Sequence, residues 1–179
     1  MEDEMKIDYM GLEMAFQRDM MDEATYWLDK ETGQVLVLDD WARTQLRKVR
    51  GPEELTHPRL RELWPLWCLV GWEYEWWDEE EEPEPWPEPP PGVTMDRYVQ
   101  VPRMESYEAY NDMVEFAATV KDPHLSELLE LALDGKGAFR RFKAVLARYP
   151  EERERWFEFS DRRLRARIDE WLESVGVRP

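Results

Sequence analysis

The residues best placed to do chemistry in this chain are cations. Asp134-Gly135-Lys136-Gly137-Ala138-Phe139-Arg140-Arg141-Phe142-Lys143 sets a lysine between two glycines, then three more cations at helical spacing around two phenylalanines. The pattern predicts a helix end, a tight turn and a new helix with a positively charged start. A helix start leaves about four backbone N–H groups without intrahelical partners and carries a partial positive charge. Lys136, Gly137, Arg140, Arg141 and Lys143 therefore form a candidate cradle for a phosphate, a carboxylate or an acidic partner. The spacing is not that of a phosphate-binding P-loop, and no βαβ unit precedes it. The same residues also admit a structural role. Gly135 would then cap a helix, Gly137 would form a turn, Phe139 and Phe142 would anchor a core, and the arginines would pair with nearby acids.

Paired carboxylates are the next chemistry to consider, since they can shuttle protons. With forty-one acids in the chain, composition singles out no pair. Glu105, Glu108 and Asp112, at the start of a predicted helix directly after a strand, are the set with useful spacing. Their ordinary alternative is to complement the helix dipole. His57 and His124 are the two histidines, and neither has a partner at metal-ligand spacing. The sequence contains no His-Glu-x-x-His, Cys-x-x-Cys, EF-hand loop or Gly-x-Ser-x-Gly element. No catalytic residue, metal or cofactor is assigned. Cys68, flanked by Trp67, Leu69 and Val70, reads as a buried and inert thiol.

Charge narrows the class of partner. The formal net charge is −17, but residues 51–100 hold thirteen acids and three bases while residues 136–148 hold five bases and no acid. Nucleic acid would be repelled on average, so any such site must be local. A single cysteine fits a reducing cytoplasm. The start, Met-Glu-Asp-Glu-Met, is the opposite of a basic signal peptide. The most apolar run, Leu63 to Trp72, is interrupted by Pro65 and Gly71 and falls short of the roughly twenty residues a membrane span needs.

Six tryptophans crowd residues 64–86: Trp64, Trp67, Trp72, Trp76, Trp77 and Trp86. Some must be core, and Trp72, Trp76 and Trp77 are candidates for an interface, in the first instance a homodimer. Residues 78–92 are prolines and carboxylates around Trp86 and predict an extended, polyproline-like loop. It is also a candidate screen for Arg140, Arg141 and Lys143.

These residues must be positioned by a framework that is legible in outline. Met10 to Met21 predicts a helix with Leu12, Ala15, Phe16 and Met20 on one side. Thr25–Asp29 and Gln34–Leu38, around Lys30-Glu31-Thr32-Gly33, predict a hairpin. Asp39-Asp40 caps a helix through Lys48. Residues 53–77 suggest a helix broken by Pro65 and then an extended piece at Trp72–Trp76. Arg97–Val101 predicts a strand. Ser106 is the expected cap of a helix to Val120, with Tyr107, Tyr110, Met113, Val114, Ala117 and Val120 inside. Asp122-Pro123 opens a helix stopped by Gly135. Another carries Phe139, Phe142, Val145 and Leu146, a short one follows Pro150, and Ser160-Asp161 begins the last. The expectation is one α+β domain over 1–179: a small antiparallel sheet (hairpin 25–39 plus 97–101) packed with about five C-terminal helices, the Trp-rich segment 53–77 and the loop 78–92 forming an insertion.

Tyr26-Trp27-Leu28-Asp29 with Glu31–Val35, Arg97–Pro102, the Gly135–Lys143 block, Trp156-Phe157-Glu158-Phe159 and Trp171-Leu172-Glu173 together resemble the bacterial uncharacterised protein family 0158. The resemblance covers the hairpin and nearly all of residues 97–175, while residues 41–92 depart from it. It implies the fold and supplies no activity and no site residues. The expectation is thus a bacterial, cytoplasmic, non-catalytic protein-interaction or regulatory module, acting on an unknown protein partner or on itself. One alternative is binding of an anion, nucleotide or nucleic acid at 136–143, with Tyr98, Phe139 or Phe142 stacking if exposed. The other is an enzyme using acids near 105–112.

Overall fold

The computed structural model describes residues 5–74 and 85–178. The chain divides into two compact units, one from the residues before Arg103 with the last few from Val175 on, the other Arg103–Ser174.

The first unit opens with α1 (Tyr9–Phe16), followed by β1 (Thr25–Asp29), β2 (Val35–Leu38), α2 (Asp40–Leu46), α3 (Pro58–Val70) and β3 (Tyr98–Gln100). The three strands form an antiparallel sheet in the order β2-β1-β3, with Thr25 opposite Leu38 on one side of β1 and Trp27 opposite Gln100 on the other. The α+β class and the hairpin follow the sequence expectation. Asp39 caps α2 as its position predicts, its carboxylate accepting the Ala42 N–H at 2.8 Å. Trp27, Leu38 and Tyr98 of the sheet share a core with Ala42 and Leu46 of α2 and with Leu63, Trp64, Leu66 and Trp67 of α3.

That core explains why Pro65 does not break α3. An interior proline costs about 3 kcal/mol, whereas fully burying four side chains of this size contributes about 1.5–3 kcal/mol each. Two expectations change here. Helix α1 stops at Phe16, and Met20 lies beyond it, exposed, in a turn where the Asp19 carboxylate accepts the Met21 N–H. Residues Gly71–Tyr74 form a 3-10 turn rather than an extended piece. Trp86 folds back onto this turn, its ring 5.6 Å from that of Trp67 and its Nε1 donating to the Cys68 carbonyl at 2.9 Å.

The second unit is helical: α4 (Ser106–Thr119), α5 (Pro123–Ala132), α6 (Ala138–Leu146) and α7 (Pro150–Ser174). Its core gathers Met113 and Phe116 of α4, Leu125 and Leu129 of α5, and Phe142 and Leu146 of α6, with Trp156 and Phe159 of α7 packed against them. Phe116, Phe142 and Trp156 meet edge to face at 5.0–6.2 Å, the geometry that ring quadrupoles favour.

Four helices follow the sheet among the described residues, where about five were expected. Ser160 does not cap a new helix, because its hydroxyl donates to the Phe157 carbonyl inside a continuous α7. The α4 cap also moves by one: Glu105 is the N-cap and its N–H donates to the Glu108 carboxylate at 2.8 Å, so Ser106 is the first helical residue. Tyr107 and Val114 are exposed rather than inside. The inner face of α4 is rotated towards Asp112, which is buried.

Candidate interaction surface

The block from Asp134 to Lys143 folds as its glycines require. Asp122 opens α5 by accepting the N–H groups of His124 and Leu125, and α5 ends at Ala132. Gly135 and Gly137 both adopt left-handed backbone, with φ of 74° and 79°, a region that side-chain-bearing residues rarely occupy. Gly137 then serves as the N-cap of α6 and, having no side chain, provides no capping oxygen. The start of α6 is left as a positive terminus with no capping carboxylate or hydroxyl.

Neighbouring arginines in this block have opposite fates. Arg141 turns back on the α5–α6 turn: its Nε donates to the Ala132 carbonyl at 3.1 Å, and its Nη atoms donate to the carbonyls of Lys136 and Asp134. Its donors are therefore engaged in holding the turn. Arg140, one position and about 100° around the helix, is exposed, as are Lys136, Lys143 and Arg148. Among the described residues none of these four forms an ion pair. By contrast four of the six arginines of α7, Arg155, Arg163, Arg165 and Arg167, are paired with carboxylates. Phe142 is fully buried and Tyr98 is buried, which removes both as stacking platforms, but Phe139 is 41% exposed beside the free cations.

Two of the three carboxylates considered for acid–base work, Glu108 and Asp112, form a structural lock, while Glu105 caps α4. Asp112 accepts two hydrogen bonds from Arg167, of 2.6 and 2.7 Å, and one from Arg163 at 3.0 Å. Glu108 lies 3.6 Å from Arg167. Burial pushes the Asp112 carboxyl up, but the two guanidinium groups outweigh it and hold the group below the ordinary carboxylate range. An acid fixed in its charged form by two arginines is a poor proton shuttle. Sequence reading could not find these partners, which lie 51 and 55 residues away.

Of the tryptophans, Trp64 and Trp67 are core, Trp86 is half-buried, and Trp72 is 53% exposed with its Nε1 on the Leu69 carbonyl. Trp76 and Trp77 lie outside the described residues, as do residues 78–84 of the acidic segment. His57 caps α3 through its Nδ1, which accepts the Arg59 N–H, and His124 is exposed. Cys68 is buried, and burial pushes its thiol up to about 11. Among the described residues no group of three or more His, Cys, Asp or Glu side chains is arranged to hold a metal ion.

The comparison with known proteins falls on the helical half. The profile of the uncharacterised protein family UPF0158 matches residues 93–179. A UPF0158 protein of Pseudomonas aeruginosa is 29% identical over 84 residues, covering 47% of this chain and 55% of that relative. Residues 93–179 are thus similar to UPF0158. The matched part spans about half the length of the Pseudomonas relative. No solved structure matches. The UPF0158 segment holds the Gly135–Lys143 block and all of α4–α7, whereas the hairpin that also resembled the family lies outside it. UPF0158 is an uncharacterised family and supplies no function.

Proposed function

We propose that this protein is a non-catalytic interaction module of the bacterial cytoplasm, and that the outer face of α6 binds an acidic partner protein. One observation carries the reading: in a chain of net charge −17, Lys136, Arg140, Lys143 and Arg148 stay clear of every described carboxylate. Surface ion pairs contribute only about 0–1 kcal/mol, so leaving these cations unpaired costs the fold little. Clustered charges do steer a complementary partner and raise its association rate. Exposed Phe139 adds an apolar anchor of the kind that dominates interface energetics. The cytoplasmic setting is supported by the lone, buried cysteine, and among the described residues no helix is long and apolar enough to cross a membrane.

Phe139 also favours a second reading, local binding of single-stranded nucleic acid, in which a base stacks on the ring between phosphate-binding cations. Both are tested by affinity capture with the wild-type chain and with Lys136→Glu/Arg140→Glu/Lys143→Glu, with and without nuclease. Proteins identified by mass spectrometry should bind the wild type, survive nuclease and be lost with the variant. Capture abolished by nuclease would move the reading to nucleic acid. Equal capture by both proteins would remove the surface from consideration.

A further inference from the structure

Helices α5 and α6 leave an open groove between them, of about 310 Å³, on the flank of α6 away from Phe139. Its walls are aliphatic: Leu128, Leu131 and Ala132 from α5, Ala144 and Val145 from α6. Leu131 is 66% exposed, an uncommon position for a large aliphatic side chain on a helix whose other leucines are buried or half-buried. Two of the lining residues are small, Ala132 from α5 and Ala144 from α6, which lets a third helix approach closely. Among the described residues, the charged groups lining it are Arg141 and Arg148, and no acid lines it. Arg141 donates to backbone carbonyls rather than to a carboxylate, so its charge remains uncompensated.

We propose that this groove receives an acidic amphipathic helix from a partner protein. Leucine-like side chains of that helix enter between Leu131 and Ala144, and flanking carboxylates meet Arg148. Helix-in-groove recognition needs this combination, an apolar trough for residues at i and i+4 and a complementary charged rim. A basic helix would be repelled, and a purely polar one would leave Leu131 uncovered. The inference rests on the interaction reading above for the acidic character of the partner, but places its apolar contact in this groove rather than at Phe139.

The test uses the full chain and a defined probe, a fluorescein-labelled helical peptide with leucine at i and i+4 and glutamate on the flanking positions. Anisotropy titrations are compared for the wild type, Ala144→Trp, Arg148→Glu and Lys136→Glu/Arg140→Glu, each with its melting curve. Ala144 and Arg148 are exposed, so the first two substitutions should leave the fold intact. The expected result is binding that weakens at least tenfold in Ala144→Trp and Arg148→Glu, with peptide-induced amide shifts at Leu128, Leu131 and Val145. A peptide with lysine in place of glutamate should not bind. If Ala144→Trp and Arg148→Glu bind as the wild type does while Lys136→Glu/Arg140→Glu does not, the groove is overturned and the α6 surface stands. If no variant alters binding, or the wild type binds neither peptide, both fall. Self-association of the wild type, lost in Ala144→Trp by native mass spectrometry, would make the occupant a second copy and overturn the partner proposed here.

Discussion

Arg167 grips Asp112 through two parallel hydrogen bonds, of 2.6 and 2.7 Å, on a residue that is only 4% exposed. Arg163 adds a third at 3.0 Å. A carboxylate taken out of water is tolerated only when its charge is met this completely. The pair therefore reads as the bolt that holds α7 against α4 within the helical unit.

Removing one side of that bolt should be costly. Asp112→Ala leaves two guanidinium groups facing a void and should lower stability by about 3 kcal/mol or more, measured by urea unfolding. Arg140→Met, which removes a cation with no ion pair among the described residues, should stay within about 0.5 kcal/mol of the wild type. Similar losses for both would show that Asp112 is not a fixed point of the fold.

The same lock sets a pH dependence. The Asp112 carboxyl titrates below its ordinary value of 3.8 in the folded protein. Its contribution is therefore complete above that ordinary value and is lost as pH falls through the lower, folded one. Wild type should lose stability below about pH 4 more steeply than Asp112→Asn, which has no charge to titrate. Parallel acid melts of the two proteins would contradict this.

Arg141 and Arg140 should separate function from fold. Arg141→Met loses charge-assisted bonds to the carbonyls of 132, 134 and 136 and should cost about 1.5–3 kcal/mol, with faster amide exchange in the α5–α6 turn. Arg140→Glu should alter binding to the acidic helical peptide without moving the melting temperature. Reversal of the two phenotypes would reassign which arginine is structural.

Gly71 is held small by its neighbours. A Cβ there would lie 2.5 Å from the Trp67 ring and 2.7 Å from that of Trp86. Gly71→Ala should therefore displace Trp86, red-shift tryptophan emission and cost about 1–3 kcal/mol. Unchanged emission and stability would mean that Trp86 does not seal this side of the core.

Cys68 should be silent in the native protein. With its thiol pushed up to about 11 by burial, about one group in a thousand is ionised at pH 8, and the thiolate is the reactive form. Thiol reagents should label it only as fast as the protein unfolds, and at once in denaturant. Rapid native labelling would place it at the surface.

Much of this was legible in local sequence, because caps and turns are decided by residues a few positions apart. Asp39 and Asp122 cap the helices they precede, and Gly135 and Gly137 take the left-handed backbone that a tight helix–helix turn demands. The run of five bases without an acid at 136–148 is likewise a property of sequence alone. What the sequence could not decide was direction and pairing over distance. Arg140 and Arg141 are chemically identical neighbours, and only the position of the α5 carbonyls determines that one holds the turn while the other stays free. Glu108 and Asp112 have the spacing of a catalytic pair until α7 brings Arg163 and Arg167 against them. Ser160-Asp161 has the composition of a helix start, yet Leu164, Ile168 and Leu172 beyond it and Trp156 and Phe159 before it continue one inward stripe, so the helix runs through. Local hydrogen bonds are written within a few residues, whereas burial and charge pairing depend on which distant elements share a core.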